Sequence, residues 1–222
     1  LVLYWNKYLF TRESIALPPK TWDEFLAISQ RITKKDGFGN IVISGAALGR
    51  VKNIAHSPAI LTALFLQSGE KIINREKEVI LGDGVQMGQL FLRPAESALR
   101  FFSEFADPAK VSYSWTSSFA EAEEMFLAGK LGMYIGFPFE YEKLKKKNPH
   151  ISIGVAHLPT LDGKKSTYGT LYVLAVPLAS RNRMASWQFI KFLVSKETSK
   201  FYSDLKMSAS TRRDLFSSYQ TE

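Results

Sequence analysis

The amino-acid sequence predicts an α/β fold, and two patterns support that prediction. Short apolar runs such as 41–43 and 131–135 have the length and residue types of buried strands. Longer segments such as 22–32 carry apolar residues at the spacing of an amphipathic helix. No internal repeat or low-complexity tract interrupts the alternation. Strands that alternate with helices are typical of the α/β class.

The first elements follow from their boundary residues. Residues 1–5 read as a strand and 6–10 as a short helical turn. Thr21 and Glu24 have the spacing of a capping box, in which the hydroxyl caps the Glu24 amide and the carboxylate reaches back. The sequence therefore predicts that a helix begins at Thr21 and runs to about 32.

A strand, a loop and an apolar helix follow. Residues 41–43 read as a short buried strand, and 44–56 as a loop. Ser57 as N-cap and Pro58 at the first helical position predict a helix start. Gly69 is placed to end that helix in a left-handed conformation.

The second half of the chain continues the alternation. The predicted elements are a hairpin at 71–81, helices that begin at Pro94, Ser118 and Pro138, strands at 131–135, 151–158 and 167–176, and helices at 184–194 and 196–205. The inner face of the Pro94 helix is predicted to carry Ala95, Ala98, Leu99, Phe102 and Phe105. The polar tail from Met207 is expected to be frayed.

Composition excludes several classes of protein. Of the 222 residues, 45% are hydrophobic and 13% aromatic, which is too apolar for a disordered chain. The densest apolar stretch, 59–66, is far shorter than the ~18 residues of a membrane span. The absence of cysteine excludes a disulfide scaffold, a thiolate metal site and a cysteine nucleophile.

The net charge of +8 leaves an anionic partner as an alternative. The basic residues are scattered in small groups, however, and only Lys145, Lys146 and Lys147 form a run. This distribution favours a solvated basic surface over a nucleic-acid site.

Signatures of catalysis are scarce. The three histidines lie far apart without metal-ligand spacing, and no nucleophile elbow or phosphate-binding glycine loop occurs. The sequence therefore predicts a protein that is not an enzyme, with no metal site and no cofactor. The most informative stretch is 136–141, where a strand runs into a helix with Phe137 and Phe139 between them. Aromatic rings at the carboxyl end of such a sheet are placed to stack on a sugar, although the pattern alone favours a core role for Phe137 and Phe139, because aromatic side chains are usually buried.

Several motifs, in order, resemble the extracellular solute-binding proteins, family 1, of ABC importers. The matching segments are 3–10 (LYWNKYLF), 18–25 (PPKTWDEF), 119–133, 153–159 (IGVAHLP) and 168–193. The resemblance implies a two-lobed, class II periplasmic-binding-protein fold that closes on its ligand. It further implies that 1–152 form most of the second lobe, that 153–195 cross to a partial first lobe, and that 196–222 return to the second. Under that alignment, the strands at 153–158 and 167–176 would pair within the first lobe, and upstream residues that build most of that lobe are expected to be missing from this chain.

The resemblance also implies a set of ligand-binding residues. In sugar-binding members an aromatic residue at the position of Phe139 stacks on the ligand, whereas many relatives carry Trp there. The predicted binding residues are Phe137, Phe139, Glu140, Tyr141, Asn53, His56, Gly169 and Thr170.

The implied function is that of an importer receptor for a sugar or oligosaccharide. Its partners would be the small-molecule ligand and the membrane permease, without nucleic acid, and the complete protein would be a monomer. Its location would be extracytoplasmic, in the periplasm or lipid-anchored at the outer face of the cell membrane. A polyamine, peptide or anionic ligand on the same fold stays open, and a carbohydrate-active enzyme or a basic nucleic-acid binder is less favoured.

Overall fold

A computed structural model of the chain describes residues 1–69, 71–87, 90–206 and 210–216. The chain divides into a first unit, Leu1–Gly169, and a second unit, Thr170–Glu222. Among the described residues, no helix has the length and apolar character needed to cross a membrane.

The first unit is organised around one mixed sheet. In the described part of the chain its strands are β1 (Val2–Asn6), β2 (Lys34–Lys35), β3 (Ile41–Ala46), β6 (Leu131–Gly136) and β7 (Ile153–His157), in the order β2-β3-β6-β1-β7. Strand β3 is parallel to β6, whereas β1 is antiparallel to both of its neighbours, β6 and β7. The carboxyl ends of β3, β6 and β7 therefore lie at one edge of the sheet, together with the start of β1. We call this edge the carboxyl edge.

Strand β6 lies at the centre, and all six of its residues are buried. Burial of successive residues, which point to opposite faces, means that both faces of the sheet are covered here. One cover is α2 (Trp22–Ile32), which approaches β3 so closely that a Cβ at Gly45 would overlap the backbone of Ser29. Glycine at position 45 thus permits the helix to lie directly on the sheet.

The helix starts near the amino terminus include the predicted cap at Thr21, with one change, and a further cap at Asn6. Helix α1 (Lys7–Arg12) is capped by Asn6, whose side-chain oxygen accepts from two amides. At α2, the Thr21 hydroxyl accepts from the Glu24 amide at 3.2 Å, but the Glu24 carboxylate bonds the amide of Lys20 instead of Thr21. The bond to the Thr21 hydroxyl is that of the predicted capping box, whereas the Glu24 carboxylate bonds an amide one residue earlier in the chain than predicted.

Helix α3 (Ser57–Ser68) ends at Gly69 with φ of 87°, as predicted. The prediction of Ser57 as N-cap is wrong, because His56 occupies that position and Ser57 is the first helical residue. The preceding strand β3 is longer than predicted and extends to Ala46.

Gln67, the penultimate residue of α3, is buried, and its side chain forms hydrogen bonds with three residues that are distant in the sequence. It accepts from the Trp22 indole at 2.7 Å and donates to the Pro159 and Ser166 carbonyls.

The segment between α3 and β6 forms a hairpin and two helices. An isolated bridge joins Ile73 and Val79, and β4 (Val85–Met87) pairs with β5 (Leu90–Leu92). Helix α4 (Pro94–Glu104) buries Ala95, Ala98 and Phe102 as predicted, with buried Phe105 after it. The inward prediction for Leu99 is wrong, since it is 49% exposed.

Helix α5 (Ala122–Leu127) has Glu121 as its N-cap and begins three residues later than a cap at Ser118 predicts. Two contacts explain the difference. The Thr116 hydroxyl accepts from the Ser118 amide, which makes a turn there, and the Ala122 amide donates to the carbonyl of Asn53. The helix therefore begins at Ala122, whose amide bonds a carbonyl that is distant in the sequence.

After β6, helix α6 (Glu140–Lys147) leads to β7. The family resemblance predicts that the strand at 153–158 pairs within the first lobe, but β7 pairs with β1 over five residue pairs, from Val2 with His157 to Asn6 with Ile153. It therefore belongs to the sheet of the first unit. The division of 1–152, 153–195 and 196–222 between lobes stays a prediction.

The second unit contains helices in its described residues: α7 (Arg183–Leu193), α8 (Lys196–Lys206) and α9 (Arg213–Phe216). The strand predicted at 167–176 is wrong, because residues 165–177 form no helix or strand. The frayed tail predicted from Met207 falls partly outside the described residues, at 207–209 and 217–222, while 213–216 form α9.

Candidate functional site

The candidate site lies at the carboxyl edge, where β6 ends at Gly136 and the chain turns into α6. Phe137 and Phe139 flank Pro138 in this turn, and their rings are stacked with centroids 5.6 Å apart and planes within 10°. Phe137 is half-buried, whereas Phe139 is 53% exposed. One ring therefore rests on the other and is open to solvent, which is the geometry of a stacking surface for a flat ligand face.

The Glu140 carboxylate holds the start of this turn. Its Oε2 accepts from the Phe137 amide at 2.7 Å and lies over Gly136, so closely that a Cβ at that position would overlap it. Only glycine at position 136 leaves room for the carboxylate. The sequence G-x-x-x-E at this strand end is thus a local structural unit.

Tyr4 holds the same turn from the neighbouring strand β1. Its buried hydroxyl donates to the Phe137 carbonyl at 2.7 Å and lies 3.2 Å from the Pro138 carbonyl. Burial raises the pKa of the Tyr4 phenol well above its ordinary value, and the nearby Glu140 carboxylate raises it further. The phenol therefore stays protonated as a donor. The sequence does not indicate this role for Tyr4, because its partner is 133 residues away.

His56, the N-cap of α3, completes the arrangement. Its Nε2–H donates to Glu140 Oε1 at 2.9 Å, and its ring meets Phe137 edge to face at a centroid distance of 5.1 Å and an angle of 86°. Two predicted site residues 84 positions apart thus come together. We call His56, Phe137, Phe139 and Glu140 the edge cluster.

Tyr168 is a further aromatic residue near this cluster. Its ring lies 6.5 Å from that of Phe137, and its carbonyl accepts from the amino group of Leu1 at 2.8 Å. Gly169 follows as an exposed residue that ends the first unit. Thr170, the other residue predicted there, belongs to the second unit.

Asn53 is buried and forms hydrogen bonds within the first unit. It is 5% exposed, its amide donates to the Thr116 and Phe119 carbonyls, and its side-chain oxygen accepts from the Trp115 indole. Its bonds organise the loop before α5. The sequence could not distinguish this role, because a loop asparagine serves both purposes equally well.

Glu140 and Tyr141 also face away from solvent to a large extent. Glu140 is 6% exposed, with both oxygens engaged within the edge cluster. Tyr141 is half-buried against the hydrophobic core. Among the binding residues predicted at this turn, Phe139 thus has the largest exposed fraction, and its ring is stacked on that of Phe137.

Beside the cluster lies an acidic depression of about 220 Å³, lined by Ala55, Glu121, Glu123, Glu124, Tyr134 and Lys147. Glu123 is paired with Lys143 at 2.7 Å and with Lys147 at 2.6 Å. Burial opposes its ionisation, but the two ammonium groups hold the pKa of Glu123 below its ordinary value. In the described part of the chain, no group of three or more His, Asp or Glu side chains is placed to hold a metal ion.

Solved structures with the same fold are two-lobed binding proteins. An ABC transporter solute-binding protein from Thermotoga lettingae, bound with α-D-tagatose, matches with a TM-score of 0.66 at 22% identity, over 99% of this chain and 54% of that one. A substrate-binding protein of Listeria monocytogenes in complex with cycloalternan matches with a TM-score of 0.67 at 15% identity, over 100% of this chain and 53% of that one. The fold class predicted from the sequence is confirmed.

The sequence itself defines the family. The model of the bacterial extracellular solute-binding proteins matches residues 1–200, and the chain belongs to that family. A putative binding protein of Brucella abortus is 28% identical over 201 residues, which are 88% of this chain and 44% of the relative. The chain thus spans about half the length of the relatives it matches. Membership of an extracellular family implies an extracytoplasmic location, and the family consists of binding proteins.

Proposed function

We propose that the chain acts in the receptor of an ABC importer and binds a sugar or oligosaccharide at the carboxyl edge. The observation that carries this proposal is the Phe139 ring, which is half-exposed and supported from behind by the parallel ring of Phe137. A ring held in this way offers a flat apolar face to the C–H groups of a pyranose. Rigid support lowers the entropy lost on binding.

Relatives with the same fold support the choice of ligand class. One was solved with α-D-tagatose, one with cycloalternan and one, from T. maritima, with maltose. These ligands share ring faces of C–H groups and a periphery of hydroxyls. An aromatic platform recognises the former, and polar groups around it recognise the latter.

The proposal includes the wider setting of such a receptor. The sugar is enclosed when the receptor closes, and the closed form is recognised by the membrane permease. The first unit supplies the Phe139 platform, and the predicted residue Gly169 lies at the end of the same unit. The receptor works as a monomer, in the periplasm or anchored by lipid at the outer face of the membrane, without a cofactor.

Replacement of the ring tests the proposal. In the receptor that contains this chain, Phe139→Ala should weaken sugar binding by about 1–3 kcal/mol, the range for stacking on an aromatic platform. Phe139→Leu, which keeps apolar volume but removes the flat ring, should weaken it nearly as much. Titration calorimetry with D-tagatose, mannobiose, maltose and maltotriose gives the affinities.

The matched control is Phe38→Ala. Phe38 is 93% exposed in the turn before β3, at the edge of the sheet opposite the carboxyl edge. It should leave every affinity unchanged. Unchanged affinity in Phe139→Ala, or binding of spermidine, a peptide or an anion in place of all sugars, would contradict the proposal.

A further inference from the structure

We infer that His56 and Glu140 are positioning residues for the Phe139 platform, and that they act on the ligand through Phe137 without touching it. This inference rests on the proposed function, and it changes the role that the sequence suggested for both residues. According to this inference, two polar side chains that lie behind the aromatic surface contribute to ligand affinity without contacting the ligand.

Burial and bonding separate these two residues from the ligand. The Glu140 side chain is 7% exposed and the His56 side chain 18%. Each Glu140 oxygen has its own donor within the first unit, the His56 Nε2–H at 2.9 Å and the Phe137 amide at 2.7 Å. This burial leaves little of either side chain open to a sugar hydroxyl, and the hydrogen bonds to the carboxylate hold the two groups in place.

Both residues converge on Phe137 by different routes. Glu140 fixes its backbone through the amide, and His56 fixes its ring through the edge-to-face contact at 5.1 Å. The Phe137 ring in turn supports Phe139 at 5.6 Å. Removal of the imidazole leaves the Phe137 ring free to tilt, and the platform loses its fixed orientation.

The turn keeps a second support when one of these groups is removed. Tyr4 holds the Phe137 and Pro138 carbonyls from β1, independently of the Glu140 carboxylate. Variants at His56 are therefore expected to fold. A loss of affinity in them then reports on the platform.

A double-mutant cycle tests the inference. His56→Ala should raise the sugar Kd by roughly three- to tenfold at unchanged binding stoichiometry, within the coupling range for residues in contact. In the Phe139→Ala background the same change should raise the Kd by less than about twofold, because the platform through which His56 acts is gone. Calorimetry with the tightest-binding sugar among D-tagatose, mannobiose, maltose and maltotriose provides all four values.

The outcomes are distinct. Equal effects of His56→Ala in both backgrounds would mean that the imidazole contacts the sugar directly, which overturns the inference. If Phe139→Ala weakens binding while His56→Ala does not, the positioning role is wrong and the proposed function stands. If Phe139→Ala changes no affinity, the proposed platform and the inference fail together. A fall in stoichiometry without a change in Kd would indicate a purely structural role.

A spectroscopic measurement makes the test independent of any ligand. With 4-fluorophenylalanine at position 139, the ¹⁹F resonance reports the stacking on Phe137. The resonance should shift in His56→Ala and Glu140→Ala, and Glu140→Gln should return it most of the way, since the amide oxygen still accepts from the Phe137 N–H. An unshifted resonance in both alanine variants would overturn the inference whatever the sugar titrations show.

Discussion

The two units of the chain differ in how far their large apolar side chains are buried. In the first unit, large side chains such as Phe105, Phe126 and Trp115 have no exposure, and one hydrophobic cluster runs through the sheet and its helices. In the second unit, α7 has no buried residue, and Trp187 and Phe189 are 52% and 61% exposed. A helix thus forms from its local sequence without a covered face, whereas a sheet requires its partners.

The same contrast explains why the strand predicted at 167–176 does not form. The run 171–176 has the apolar and β-branched residues of a buried strand, yet it forms no ladder in the described residues, and Leu171 and Val173 are 79% and 84% exposed. Strand hydrogen bonds are made between segments, so propensity alone does not produce a strand. Helix α7 makes its hydrogen bonds within itself and appears where the sequence predicts it.

Matched phenylalanine substitutions test this comparison most directly, and they have the largest expected effect. Phe126→Ala in the buried face of α5 should lower the free energy of unfolding by about 3–5 kcal/mol. Phe189→Ala on α7 should change it by less than about 0.5 kcal/mol, because an exposed ring loses little. Urea unfolding followed by circular dichroism measures both. A loss of several kcal/mol for Phe189 would show that its face is covered in solution.

A glycine substitution at the end of β6 probes how tightly the first unit is packed at its edge. Gly136→Ala places a methyl group against the Glu140 carboxylate and the Tyr134 ring, and it should destabilise the protein by about 1–3 kcal/mol. Gly37→Ala is the control, since nothing lies within 4 Å of a Cβ there and its φ is not positive. Equal melting temperatures for the two variants would contradict the close contact between Gly136 and Glu140.

The smallest expected effect concerns the basic run of Lys145, Lys146 and Lys147, in which Lys147 is paired with Glu123. The pairing of Glu123 with Lys143 and with Lys147 lowers the carboxyl pKa in the folded protein, so its contribution exists above the ordinary value of 4.5 and is lost as the pH falls through the lowered pKa. We expect Glu123→Gln to cost roughly 0.5–1 kcal/mol at pH 7 and nothing near pH 2.

Lys146 provides the matched control for this pair. Lys147→Glu should destabilise the protein at pH 7, because it places like charges together, whereas exposed Lys146→Glu should not. Unfolding free energies at pH 7 and pH 2 measure the difference. A pH-independent loss in Glu123→Gln would show that packing, not charge, gives the carboxylate its role.

Sequence reasoning succeeded for features that depend on near neighbours. The Thr21 cap, the left-handed Gly69 and helix α7 each follow from residues within one or two turns. It also located the aromatic turn at 136–141, since a strand followed by a helix start fixes the edge on which the turn lies.

Features that join distant residues were not predictable in the same way. The Ala122 amide bonds the Asn53 carbonyl and delays the start of α5, which no local pattern indicates. The bond from His56 to Glu140 spans 84 positions, so both residues were identified as candidates but not as partners. Whether a polar side chain faces a ligand or another residue is decided by tertiary packing, which the sequence pattern alone does not specify.

The position of β1 has a consequence for how the protein is made. This strand comprises residues 2–6, yet its two neighbours in the sheet are β6 and β7, which end at residues 136 and 157. During synthesis, β1 therefore leaves the ribosome with both of its edges unpaired until more than a hundred further residues have been added. Contacts of such long sequence separation slow folding, and unpaired strand edges expose the chain to association during the delay. Within this chain, an inner strand of the sheet is thus synthesised well before the two strands that pair with it.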